Sequence, residues 1–337
     1  MRSSPSRVAI HLRTTDQRSA LSAYREHLRD LYGLSGAIDE ECGTWLARSA
    51  TRIYIGDEFC PHRLPTTAEA EGFLDLAGEA GAGITLLTPF LTDHDLEAHR
   101  GLFELLSSSS LPVEIVFNDL GFLCFMRERY PSVPLSAGRL LGSGLKDPRA
   151  AGWGAGRQRI RDGGAEAQAL PECGLAHGPW LDMLKGFGVR RVERDLLPCE
   201  EGPASAGSGG AAAPAAVTAA ARAAAAAAGL ELSLYLPYGY FTTGRVCWTS
   251  SFGRPDREKF LPRQDCARPC DTVSFARRDQ GRGKGPRIVH QGNAFFYMYS
   301  ASQVVGLLRA AAAGPATGQG GGPSSLRLVY QGYAIPL

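Results

Sequence analysis

No run of about 18 or more strongly apolar residues occurs in the chain, so nothing in it reads as a bilayer-spanning helix. The opening stretch MRSSPSRVAIHLRTT has no continuous apolar segment of the secretory kind, which predicts a cytoplasmic protein. An excess of one charge is missing too. Lys and Arg number 36 against 34 Asp and Glu, a net of +2, so polyanion binding would have to rest on a local patch. Cysteine is sparse: eight in 337 residues are too few for a disulfide scaffold, and in a reducing compartment grouped thiols serve more often as metal ligands or catalysts. His-Glu-x-x-His and Gly-x-Ser-x-Gly are absent, which removes the usual sequence basis for a zinc peptidase or a serine hydrolase.

What is present is a chain of 44% hydrophobic and 21% charged residues, able to bury the core of one large α/β domain or two ordinary ones. Residues 1–50 read as a polar, helix-forming N-terminal extension, with Leu21, Tyr24, Leu28 and Leu31 on one face of a helix. From Arg52 short β-rich runs recur at 52–56, 83–90, 112–119, 133–141, 189–197 and 230–239, and helical patterns separate the early ones. That alternation predicts parallel strands joined by helical crossovers. No Gly-x-Gly-x-x-Gly follows an early strand, which favours a TIM-like β/α barrel over 51–337, complete or distorted, against a dinucleotide-binding sheet. Low-complexity breaks fall at 150–170, 201–229 and 310–325. The middle one, with 16 Ala in 29 residues, is expected to be a dispensable surface insertion containing at most a short helix.

Cys247, Cys266 and Cys270 share a stretch, within a cysteine-rich loop at 245–290, that is crowded with Gly, Pro and charge. A Cys-x-x-x-Cys pair in a loop lets both sulfurs face one point, and Cys247 can fold back onto them. Cys60 can supply a fourth thiolate because GDEFCPHR follows a strand, where a barrel delivers its functional side chains. Four thiolates suit a cubane iron–sulfur cluster or a structural zinc. Cys173 and Cys199, beside the insertions, are substitute ligands, and Cys124 in LGFLCFM reads as a small core residue.

Several segments carry a wider likeness: IYIGDEFCPHR (53–63), FNDLG (117–121), AGRLLGSGLKDPR (137–149), GVRRVERD (188–195), LYLPYGYFTTGRVCW (234–248), CARPC (266–270) and RIVHQGNAFFY (287–297). In these the chain resembles the collagenase-like peptidase family, peptidase family U thirty-two, and within it the branch associated with anaerobic ubiquinone biosynthesis. The resemblance implies a β/α barrel-like fold and a [4Fe–4S] cluster on Cys60, Cys247, Cys266 and Cys270. It also implies a part in oxygen-independent hydroxylation, with a related family member as heterodimeric partner. Other branches modify transfer or ribosomal RNA, and the peptidase label stems from a minority of members. The N-terminal extension and the Ala/Gly-rich insertions depart from the family pattern.

Four further residues are candidates for contact with a substrate. Arg63 and Arg139 follow strands and have the fork that holds a carboxylate; Asn118 and Asp119 end a strand, where they orient a ligand or cap the next helix. His62, beside Cys60, is a candidate donor to a cluster sulfur. Between Arg254 and Arg287 stand ten Lys and Arg against five Asp and Glu, a local excess of +5 suited to RNA phosphates or an acidic partner. Tyr235, Tyr238, Tyr240 and Phe241 can stack on a small aromatic substrate or on a base.

Overall fold

The β-rich runs become strands because each is a short string of β-branched and apolar residues between helix caps and turn residues. Thr66 starts the helix Thr67–Ala80 with a reciprocal capping box to Glu69, and Gly81 ends it in the left-handed region at φ 62. Thr92 and Asp95 repeat the capping box one crossover later. In a computed structural model of the protein, the described residues are 8–33, 50–142, 178–196, 214–259, 261, 266–278, 287–312 and 326–335. Cys42, Cys173 and Cys199, the break at 150–170, and residues 201–213 and 313–325 of the other two breaks lie outside them.

The architecture is a closed barrel of eight parallel strands with helices around it, a TIM-like α/β barrel. The strands are β1 (Val8–His11), β2 (Arg52–Gly56), β3 (Gly83–Leu87), β4 (Val113–Phe117), β5 (Leu135–Ala137), β6 (Arg191–Arg194), β7 (Glu231–Leu236) and β12 (Leu326–Tyr330). Between β7 and β12 the chain makes a second sheet, antiparallel, in the order β8 (Tyr238–Thr243), β11 (Ala294–Met298), β10 (Arg287–Gln291), β9 (Phe275–Arg278). Alternate residues of the barrel strands divide the core. Ile53, Ile55, Ile84, Leu86, Ile115, Leu232 and Leu234 pack outward on helices such as α1 (Ala20–Tyr32), while Ala9, Tyr54, Leu87, Val116, Tyr235 and Val329 form a separate inner cluster. Among the described residues no helix is long and apolar enough to cross a membrane.

Three expectations about organisation are corrected. Residues 8–33 do not belong to an extension: β1 pairs in parallel with both β2 and β12 and closes the barrel, and α1 covers its outside. A four-residue strand buried throughout shows no alternation, which hides it in a polar context. Nor is the Ala-rich break wholly an excursion. Residues Pro214–Ala227 form a crossover helix between β6 and β7, packed on the helix Ala301–Ala312, with Ala221 and Ala225 buried and Arg222 donating to the Ala310 carbonyl at 3.2 Å. Small side chains bring the two helices close together, so the missing bulk marks an interface. The region 245–290 is likewise more than loop, holding a short helix (Trp248–Ser251), two single turns and β9.

Candidate functional site

Strand ends converge at the C-terminal mouth of the barrel, and the antiparallel sheet lies over it. Tyr238, Tyr240, Val289, Ala294 and Phe296 of that sheet pack with Phe59 and Leu140 from the loops after β2 and β5. Beneath them Arg139 is buried. Its Nε donates to Glu58 Oε2 at 2.6 Å, its Nη1 to Asp195 Oδ1 at 2.8 Å, and its guanidinium lies 3.7 Å from the centroid of the Tyr235 ring. Burial lowers the pKa of an arginine, but Asp195 and Glu58 outweigh it and hold Arg139 well above its ordinary value. Asn118 joins the same cage: its Nδ2 donates to the Thr88 carbonyl at 2.9 Å and its Oδ1 accepts from Leu140 N at 2.9 Å. Gly138 makes room for it, since a β-carbon there would collide with the Asn118 amide.

The residues singled out for substrate contact therefore have partners inside the protein. Arg139 is turned onto Glu58 and Asp195, and Asn118 ties three strand ends together. Arg63 lies 3.2 Å from Asp57 Oδ2 and 3.3 Å from Asp271 Oδ1. Asp119 takes the capping role, accepting from Gly121 N at 2.7 Å at the start of the helix Leu120–Arg129. Cys124 is exposed on that helix, so its expected core position is corrected; in a helix of ten residues the apolar neighbours Leu123 and Met126 take the buried face.

Cys60, Cys247 and Cys270 sit on three segments that meet beside the mouth. Cys60 precedes the turn Pro61–Arg63 and receives the backbone N–H of His62, so the donor to this sulfur is the main chain of His62. Cys247 precedes the helix Trp248–Ser251 and accepts from Ser250 N at 3.4 Å. Cys270 is buried in the turn Pro269–Asp271, and that turn packs on the Cys247 helix. Arg268, just before it, takes the left-handed backbone at φ 51, unusual for a residue with a side chain.

The three thiols are close enough to act on one another electrostatically. Burial lifts the Cys60 thiol well above its ordinary value, and Asp57, Cys270 and Cys247 add to the rise. Burial pushes Cys270 up to about 12, against the pull of Arg13. Cys266 is half-buried, four residues before Cys270. Among the described residues no three His, Cys, Asp or Glu side chains gather closely enough to hold a single metal ion.

Sequence reasoning passed over Glu58, Asp195, Asp57, Arg13 and Asp271. Acids directly after β2 and at the end of VRRVERD carried a signal, since strand ends in a barrel point to its functional rim. Arg13 was hidden with β1. Against known proteins, no family model, no curated protein and no solved structure matches the chain.

Proposed function

We propose that this is an iron–sulfur protein in which Cys60, Cys247, Cys266 and Cys270 hold one [4Fe–4S] cluster, and that it serves oxygen-independent hydroxylation, as in the family it resembles. One observation carries the reading: Cys60, Cys247 and Cys270, far apart in sequence, lie within electrostatic reach of one another at the rim where barrels keep their chemistry. The donor set fits the group. Cys60 and Cys270, raised first by burial and then by neighbouring acids and thiols, become stable thiolates only with cationic charge beside them, which iron provides. A cubane asks for one thiolate on each iron, a looser arrangement than four sulfurs on one zinc. When bound, such a cluster stores and passes single electrons. The chain's own part is to shield the sulfurs, to donate N–H groups from His62 and Ser250 to them, and to keep the mouth beneath sealed by the antiparallel sheet.

The substrate is a small aromatic molecule, and a related chain is the partner. A row of aromatic rings crosses the antiparallel sheet beside Cys247: Phe275 on β9, His290 on β10, Phe295 on β11 and Phe241 on β8, with His290 stacked on Phe295 at 4.2 Å. Trp248 and Phe252 stand exposed at its edge. The same row favours a second reading, hydroxylation of a base in RNA, because bases stack on such rings and the 254–287 stretch has a +5 excess.

Anaerobic purification with iron, sulfide and zinc analysis and a visible spectrum tests the cluster. Iron and sulfide in equal amounts are expected, lost in each of the variants Cys60→Ala, Cys247→Ala, Cys266→Ala and Cys270→Ala and kept in Cys124→Ala. Stoichiometric zinc in place of iron would remove the redox reading. Binding that weakens steeply with salt would move RNA ahead of the small substrate.

A further inference from the structure

We infer that Gln291, the last residue of β10, and Asn293, in the turn that leads from it to β11, are the positioning residues that hold the three cysteine segments in register. This deepens the cluster reading, but the fastening itself is a property of the metal-free chain. The Asn293 amide donates from Nδ2 to the Phe59 carbonyl at 2.7 Å and to the Gly244 carbonyl at 2.6 Å. Phe59 adjoins Cys60, and Gly244 lies three residues before Cys247. Gly244 N returns a bond to the Asn293 carbonyl at 3.1 Å, and Thr249 Oγ1, from the helix Cys247 caps, reaches the Gly292 carbonyl at 3.4 Å. Gln291 holds the third segment: its Nε2 donates to the Cys270 carbonyl at 3.0 Å.

The other atom of the Gln291 amide connects Cys270 back to Cys60. Gln291 Oε1 accepts from Arg13 Nη2 at 3.3 Å and Arg63 Nη1 at 3.5 Å. Both arginines contact Asp57 Oδ2 at 3.2 Å, and Asp57 Oδ1 accepts from the backbone N–H of Phe59 at 2.7 Å and of Cys60 at 3.0 Å. Arg13 and Arg63 also face Asp271, next to Cys270, at 3.5 and 3.3 Å. Gly292 takes φ +64, and a β-carbon on it would touch the Cys270 sulfur at 3.6 Å, so the backbone of the turn lies directly against that thiol. Gln291 and Asn293 are both buried. A buried primary amide has two donor hydrogens and an acceptor at fixed angles, which suits it to clamp separate loops whose own backbones form no common ladder.

The two amides hold different segments, so they fail differently. Amide hydrogen exchange, followed by peptide in full-length, reduced, metal-free protein, reads each segment separately. Asn293→Ala should speed exchange most around Phe59–Cys60 and Gly244–Cys247, whose carbonyls it holds. Gln291→Glu, which keeps the acceptor for both arginines but loses the Nε2 donor, should speed it most in the turn Pro269–Asp271. Anaerobic iron reconstitution should weaken by roughly tenfold in each, the usual scale for removing a group that orients ligands. Glu114→Gln, at the opposite end of the barrel, is the control for plain loss of stability and should leave exchange in these segments and iron unchanged. If the two variants leave exchange in these segments at the wild-type rate, or speed all of them equally and no more than Glu114→Gln does, the positioning role is overturned whatever the iron content. If exchange responds in the crossed pattern while the wild type takes up no iron, the positioning role stands and the cluster reading falls.

Discussion

At the C-terminal mouth of the barrel Arg139 lies between two carboxylates, Glu58 and Asp195, under a lid of aromatic and aliphatic side chains. At the N-terminal mouth three arginines, Arg52, Arg191 and Arg327, gather around Glu114. Arg327 holds that carboxylate at 2.7 Å and Arg191 approaches it at 3.8 Å while pairing with Glu231. Arg52 donates only to neutral oxygens, the Ile84 carbonyl and Thr85 Oγ1. Around Arg139 two acids thus meet one arginine, whereas around Glu114 three arginines meet one acid. Burial and Arg327 together lower the pKa of Arg52, whereas at the other end the two acids hold Arg139 up. Each mouth is locked by ion pairs, but only the C-terminal one is joined to the cysteine segments, since Phe59 packs in the lid and adjoins Cys60.

The largest effect should come from removing the cation between the two acids. Arg139→Met leaves Glu58 and Asp195 buried and facing each other, and should cost about 3–5 kcal/mol in denaturant unfolding. A loss below about 1 kcal/mol would mean that the carboxylates reach water in spite of the lid.

Inside the barrel Glu193 and Glu114 sharpen the comparison through pH. Burial lifts Glu193 from 4.5 to about 7, against Arg327 and Arg191. Its folded pKa exceeds the unfolded one, so its contribution is full below pH 4.5 and is lost as pH rises towards 7, up to about 3 kcal/mol in all. Burial also pushes Glu114 upward, but Arg327, Arg191 and Arg52 prevail and hold it at about 2. Its contribution has the opposite sign, being present above pH 4.5 and lost as pH falls towards 2. Unfolding free energies measured from pH 3 to 8 should flatten on the alkaline side in Glu193→Gln and on the acid side in Glu114→Gln. A wild-type slope persisting in both would assign the pH dependence to other groups.

Arg52→Met should change stability by only about 1 kcal/mol, because the variant gives up two hydrogen bonds but relieves repulsion from Arg327. A loss as large as that of Arg139→Met would erase the difference between the mouths. Cys124→Ala, exposed on an outer helix and away from both ends, should stay within about 0.5 kcal/mol of wild type.

Much of the barrel was legible. The runs at 52–56, 83–90 and 112–119, which contain the strands Arg52–Gly56, Gly83–Leu87 and Val113–Phe117, announce themselves through Ile, Leu and Val between capped helices, and the absence of a Gly-rich phosphate loop left a barrel as the better choice. β1 was not legible, since VAIH is four residues long and buried throughout. The packed helix 214–227 was lost because an alanine face looks the same whether it meets solvent or another helix. Of the candidate site, the cysteines stood out by residue type, and the loop at GDEFC by its place after a strand. Arg63 and Arg139 also stood out by position, but nothing local to them told that their partners are the protein's own carboxylates.

The sequence by itself determined the spacing of strands and helices from β2 to β4, the alternation that turns every second side chain of a strand to the other face, and the supply of thiols, because these follow from local propensity and backbone geometry along a few residues. Which polar groups meet was decided only by the tertiary structure. Asn293 reaches Phe59 across 234 positions and Gly244 across 49, and in both cases the acceptor is a backbone carbonyl. Every residue carries that carbonyl, so the identity of the partner leaves no mark on the sequence; the closed barrel and the sheet folded over its mouth bring it within reach.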